Sequence, residues 1–295
     1  MQQISGDTIQ QNNYSGHLKE LLDHIYSVRG IDFSLYRSAT IMRKLDLRMD
    51  ITKSGDYAEY LSFLRSDPEE LHKLVQTLTI KVSSFFRNRQ VFEALRLEVL
   101  PQLVSCFGSV RAWSIGCANG EEPYSLAIIA KEMMNAGKGS FSLNIYGTDL
   151  DPDAIIKAEK GEYTDEELVE TAPEYIARYF SKTGDQHSEY GHERWLLSRE
   201  VRSMVQFGSY NIMDLLTDRR PHPGKYNLIL CRNLLIYLNL DLQERIFNAI
   251  SHLLYEDGYL VIGEAETLPE PARSRFGQHA DGLKIFRKLG LTAEH

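Results

Sequence analysis

The stretch RAWSIGCANGEEPYSLAIIAKEM, residues 111–133, joins an apolar run to an amphipathic one through Gly116, Ala118 and Gly120. Small residues at that spacing let the backbone turn tightly and approach a ligand. The turn is neither a dinucleotide fingerprint nor a phosphate loop, because the later glycines of G-x-G-x-x-G are missing and no G-K-[ST] follows. Backbone amides and the dipole at a helix start attract phosphate, yet Glu121 and Glu122 stand there and would repel it. A cation carrying a ribose but no phosphate suits both the turn and the acids, and S-adenosylmethionine, with its ammonium and sulfonium, is such a ligand. Two acids at a helix start also serve simply to stabilise it.

Asp149 ends the run SLNIYGTD, where an acidic residue at a strand tip can accept both ribose hydroxyls. Asp151, just before Pro152, is placed to cap the helix that follows. In YNLILCRNLLIYLN a mostly apolar run is followed by Asn233 and then Tyr237. Ligands in an open α/β sheet sit outside the carboxyl ends of the strands, so both residues are expected to face the crevice of Glu121 and Asp149. Their local alternatives are a turn cap for Asn233 and packing for Tyr237. No Asn/Asp-Pro-Pro-aromatic turn occurs here, which disfavours a nucleic-acid base as substrate. Arg87 follows Phe85 and Phe86, a pair suited to core packing. The histidines show no H-E-x-x-H or other metal spacing, and His187 and His192 lie in a polar loop.

These residues require a parallel sheet to position them. From about residue 110, short apolar runs (RAWSIG, SLNIYGTD, SMVQFGS, YNLILC, YLVIGEA) alternate with helices such as PYSLAIIAKEMMNA and DLQERIFNAISHLLYEDG, and a last extended segment ends in LKIFRKL. Gly258 suits the turn from the last helix into its strand. The polar segment from about 161 to 203 breaks the alternation and reads as an inserted subdomain, with a helix-like APEYIARYF. Residues before about 80 read as helices only. One ends at Gly30, one is capped by Ser34 and stops near Gly55, and two start at Asp56 and at Asp67-Pro68.

On the second of these helices Arg37, Lys44 and Arg48 fall within about 40° of one another, with Ile41 just beyond the edge. With Arg43 they give a local positive excess in a chain whose 33 Lys+Arg face 41 Asp+Glu, a net charge of −8. Such a stripe is either a solvated face or a dock for an acidic helix. The overall charge repels nucleic acid and anionic membrane. The 295 residues allow one large domain and a smaller one. The polar N-terminus lacks a signal pattern, no apolar run reaches the roughly 20 residues of a membrane span, and three widely spaced cysteines suit a reducing compartment. A cytoplasmic monomer without metal is expected.

The ordered set YRxxxIxRKL, SSFFR, GCANGEEPYS, GTDLD, SYNIMD and CRNLLIY closely resembles the chemotaxis receptor glutamate methyltransferases, the CheR family, over nearly the whole chain. The resemblance implies a class I S-adenosylmethionine-dependent methyltransferase fold: a doubly wound, mostly parallel sheet with an all-helical N-terminal domain at 1–88 and a catalytic domain at 89–295 that carries a small inserted β-subdomain. It implies methylation of glutamate side chains on the cytoplasmic helices of chemoreceptors and recruitment to membrane receptor arrays. By similarity the cofactor residues are Lys81, Ser83, Arg87, Glu121, Asp149, Asn211, Ile212, Asn233 and Leu234. Lys81-Val82-Ser83 stands where the family has Asn-x-Thr, Ser83 replacing a threonine hydroxyl. Arg87 is expected to orient the substrate carboxylate and Tyr237 to line the methyl path, while Arg37, Ile41, Arg43, Lys44 and Arg48 dock the receptor. In some members the inserted subdomain grips a receptor C-terminal peptide; the loop 183–194 is long here. The alternatives are the same chemistry on a receptor of a non-chemotaxis pathway, a non-catalytic scaffold that binds the cofactor, and a nicotinamide oxidoreductase, which the acids at the helix start oppose.

Overall fold

Aspartates set two helix starts of the N-terminal region. Asp56 accepts the Glu59 N–H at 2.8 Å, and Asp67 accepts those of Glu69 (2.9 Å) and Glu70 (3.2 Å) with Pro68 at the first helical position. The computed structural model describes residues 5–79, 83–137, 141–183, 193–221, 224–280 and 282–290. The chain divides into one unit of Met1–Lys81 with Tyr237–Asn239, and another of Val82–Ile236 with Leu240–His295. The first unit ends before residue 88 because Phe85 and Phe86 are buried in the core of the second.

The first unit holds α1 (Ser5–Arg29), α2 (Ser38–Thr52), α3 (Tyr57–Ser66) and α4 (Pro68–Leu78). Ser34 does not cap α2. Asp32 accepts the Ser34 N–H and a 3-10 turn, Phe33–Leu35, intervenes before α2 begins at Ser38. That helix stops at Lys53, whose φ of 59° is left-handed. Leu21, Ile25, Leu45, Tyr60 and Leu74 are fully buried in this unit, each aliphatic one stabilising by about 1.5–3 kcal/mol.

In the second unit α5 (Arg89–Ala94) passes through a π turn, Leu95–Val99, into α6 (Leu100–Phe107). Pro101 offers no N–H to the ladder, and the Leu100 N–H bonds Leu95 instead. The sheet strands are β1 (Ser109–Ile115), β2 (Ser142–Asp149), β6 (Val205–Ser209), β7 (Tyr226–Cys231), β8 (Leu254–Ile262), β9 (Phe276–Gln278) and β10 (Ile285–Lys288), in the order β6-β2-β1-β7-β8-β10-β9. The first five pair in parallel, and β10 runs antiparallel to both neighbours. The helices are α7 (Glu121–Asn135), α8 (Pro152–Lys160), α9 (Pro173–Tyr179), α10 (Arg199–Arg202), α11 (Leu240–Leu253) and α12 (Glu270–Arg273). This is the doubly wound, mostly parallel sheet that the alternating pattern implies. The strand order reverses between β1 and β7, which places a ligand crevice beside their carboxyl ends.

Within 161–203, β3 (Glu162–Thr164), β5 (Arg194–Leu197) and β4 (Phe180–Lys182) form a small antiparallel sheet. Most of the loop 183–194, with His187 and His192, lies outside the described residues, as does Lys81. Gly258 is not at a helix end. The helix stops at Leu253 and β8 carries a bulge beside Gly258, where a Cβ would come within 2.9 Å of the Tyr255 carbonyl and 3.0 Å of that of Asn227.

Candidate functional site

The chain after β1, at the end of β2, and after β6 and β7 carries in turn Glu121, Asp149, Asn211 with Ile212, and Asn233 with Leu234. Gly116 and Cys117 donate their N–H groups to the Thr148 carbonyl, tying the glycine turn to β2. Gly120, with φ of 93°, packs so closely that a Cβ would lie 2.9 Å from Ala158 Cβ on α8. No side chain fits there. Asp149 accepts the Ala118 N–H at 2.9 Å on Oδ2 and the Asp151 N–H at 3.0 Å on Oδ1. Asp151 caps α8 through the Asp153 N–H at 2.8 Å. The Tyr210 N–H donates to the Asp149 carbonyl, and Asn211, next in the chain, caps a 3-10 helix that begins at the buried Ile212.

The two acids of α7 have different surroundings. Glu121 is 1% exposed; its Oε1 is 3.4 Å from Asn119 Nδ2, and its Oε2 is buried without a hydrogen-bond partner among the described residues. Burial pushes its pKa up to about 7. A cationic group of a cofactor would satisfy the orphaned oxygen. Glu122 accepts the Ser114 hydroxyl at 2.7 Å and pairs with Arg232 at 3.1 Å. Its charge is therefore compensated within the fold by Arg232.

Arg232, buried and standing over the Phe92 ring at 5.7 Å, also donates to the Arg87 carbonyl at 2.9 Å and to Asn88 Oδ1 at 2.6 Å. Asn88 Nδ2 donates to Glu264 at 2.8 Å, and the Phe86 N–H to the Ser125 hydroxyl at 2.9 Å. These contacts hold Phe86 (φ 57°) and Asn88 (φ 63°) in the left-handed region on either side of Arg87, a strain of about 1–3 kcal/mol each that persists only where the surroundings fix it. Ser83 and Arg87 are half-buried. Asn233, with φ of 58°, and Leu234 follow β7, and Leu234 Cδ2 lies 3.1 Å from where a Cβ on Gly116 would stand.

Arg232 was missed in the sequence; its signal is a charge directly after a mostly apolar run of six residues, although nothing local names its partners. Glu266, which accepts the N–H groups of Asn233, Leu234, Leu235 and Gly263, carries no local signal.

Tyr237 groups with the first unit, where its carbonyl accepts the Arg37 N–H at 2.8 Å. The docking stripe needs correction in this unit. Ile41 is 2% exposed and belongs to the core, because α2 turns that face inward. Arg48 makes two hydrogen bonds to the buried Glu70, which also accepts the Tyr60 hydroxyl at 2.7 Å. The Lys44 ammonium donates to the Thr77 carbonyl, and burial lowers its pKa to about 8. Arg37 and Arg43 are exposed, Arg37 donating through Nε to the Leu238 carbonyl at 3.2 Å.

Residues 81–281 match the family model "CheR methyltransferase, SAM binding domain", and residues 16–79 match "CheR methyltransferase, all-alpha domain". A chemotaxis protein methyltransferase of Listeria monocytogenes is 32% identical over 257 residues, covering 85% of this chain and 92% of the relative. A putative methyltransferase, Cher3, of Pseudomonas putida is 30% identical over 288 residues, 94% of this chain and 98% of the relative. A chemotaxis protein methyltransferase of Klebsiella aerogenes is 29% identical over 271 residues, 90% and 89% respectively.

Proposed function

The chain belongs to the CheR methyltransferase family, and from that premise we propose that it methylates glutamate side chains on the cytoplasmic helices of chemoreceptors. S-adenosylmethionine is its cofactor, which supplies an electrophilic methyl group when bound. The observation that carries the reading is the pairing of a buried, unsatisfied carboxylate, Glu121, with an arginine turn at 86–88 that the fold clamps. An acid suits the cationic cofactor, and an arginine suits an anionic nucleophile.

A glutamate carboxylate has a pKa of about 4.3 and is already ionised near neutrality. It needs no general base, so the protein's work is positioning and desolvation. Arg87 pairs with the substrate carboxylate and Tyr237 lines the methyl path. Glu121 accepts the amino group at the methionine end and Asp149 the ribose hydroxyls. Ser83, Asn211, Ile212, Asn233 and Leu234 complete the pocket, and Lys81 enters by family position alone. Arg37, just before α2, and Arg43 on it meet the acidic receptor helix, recruiting a cytoplasmic monomer to the receptor array.

The test is transfer of radiolabelled methyl groups to chemoreceptor cytoplasmic fragments. The expected product releases labelled methanol in base, as a glutamyl ester must. Label that survives base treatment, or no transfer to any receptor fragment, refutes the reading.

A further inference from the structure

Glu266, four residues beyond β8, is 2% exposed. Its Oε1 accepts the N–H groups of Leu234 at 3.0 Å and Leu235 at 2.8 Å, and its Oε2 those of Asn233 at 3.0 Å and Gly263 at 2.6 Å. Backbone donors from the loops after β7 and β8 thus converge on one carboxylate, and bonds to an ionised acceptor are the strong kind. Three of the donors belong to the segment that carries Asn233 and Leu234. Asn233 sits in the left-handed region, where a non-glycine residue stays only if its neighbours fix it. The seat is tight: a Cβ on Gly263 would come within 2.8 Å of both Asn233 N and Nδ2, and within 2.9 Å of Glu266 Oε2. Leu234 in turn closes on Gly116 of the glycine turn.

We infer that Glu266 is a positioning residue for the cofactor: its carboxylate draws the loop after β7 into the one conformation in which Asn233 and Leu234 meet S-adenosylmethionine. The inference rests on the proposed placement of the cofactor against those two residues. Nothing in the chemistry needs Glu266 to touch the ligand, and its bonds are already taken by backbone.

Glu266→Gln keeps the shape and turns one acceptor oxygen into a donor that faces backbone N–H groups. Isothermal titration with S-adenosylhomocysteine, well below the melting temperature of the variant, should show Kd raised about tenfold or more. KM for S-adenosylmethionine should rise in parallel, while kcat at saturating cofactor stays within about threefold of wild type. A lowered melting temperature with unchanged Kd would make Glu266 a structural residue only and overturn the inference. Should Glu266→Gln be recovered unfolded, Glu266→Asp, which keeps the anion but withdraws it by one methylene, is judged by the same two constants. Asn233→Ala separates the premise from the inference. If it leaves Kd at the wild-type value, the cofactor placement fails and the inference falls with it. If it weakens binding while Glu266→Gln does not, only the role of Glu266 fails.

Discussion

Glu121 is the residue whose surroundings conflict most with its charge. Burial raises its pKa to about 7, Glu167 adds to the rise, and its own backbone N–H and Lys157 oppose it. In the cofactor-free fold the neutral form is favoured, so its contribution to stability is full below the unfolded value of about 4.3 and is lost as pH rises through about 7. The melting temperature of the apo protein should therefore fall more between about pH 4.5 and about pH 7 in wild type than in Glu121→Gln. A bound ammonium reverses the preference and restores the carboxylate. Binding of S-adenosylhomocysteine near pH 6 should then release a proton, visible as a dependence of the calorimetric heat on the ionisation enthalpy of the buffer. Affinity should climb with pH by up to about tenfold per unit until about 7 and level off there, once the carboxylate is ionised in the free protein as well. Identical heats in two buffers, or an unaltered profile in Glu121→Gln, would remove the carboxylate from the binding reaction.

At the level of elements, the turn at 86–88 depends on three others: α7 through Ser125 and Glu122, the loop after β7 through Arg232, and the loop after β8 through Glu264. Arg232→Lys keeps the charge but cannot reach Glu122, the Arg87 carbonyl and Asn88 together. If Arg87 orients the substrate, this variant should lower kcat by about 10–100-fold and leave Kd for S-adenosylhomocysteine within about threefold; parallel losses in both constants would place Arg232 in cofactor binding instead. Gly120→Ala sets a methyl against Ala158 in a left-handed turn and should cost about 1–3 kcal/mol in denaturant unfolding. The glycine turn and Asp149 were legible because a tight turn and a strand-end acid leave local marks. So were the five parallel strands, as apolar runs, and the helix starts at Asp56 and Asp67. The three-residue strands β3, β4 and β9 are too short to display alternation, and the junction of α11 with β8 hides in an unbroken apolar run, Leu253-Leu254. Arg232 and Glu266 act on partners 110 and 33 residues away, a distance at which no spacing rule operates.

For the molecule as a whole, the proposed docking sets a net charge of −8 against an acidic receptor helix. Repulsion from the total charge and attraction to the α2 stripe differ in range. At 0.15 M ionic strength the Debye length is about 8 Å, so charges far from the contact are screened while those within it act. Reversing Lys44 and Arg48 together is not a clean probe of that contact, because Arg48→Glu would set a second carboxylate beside the buried Glu70. Removing one member of a buried pair costs about 3–5 kcal/mol, so Arg48→Ala should lower the stability of the first unit by that order in thermal unfolding. Arg43 is exposed on the same helix, and its reversal leaves the Arg48–Glu70 pair intact. Arg43→Glu should reduce kcat/KM for a receptor fragment several-fold with Kd for S-adenosylhomocysteine unchanged. Salt separates local from global charge: between about 0.05 and 0.3 M, wild-type kcat/KM should fall as the stripe is screened, whereas in Arg43→Glu it should stay level or rise as residual repulsion is screened. Equal salt slopes in the two proteins would remove Arg43 from the docking contact.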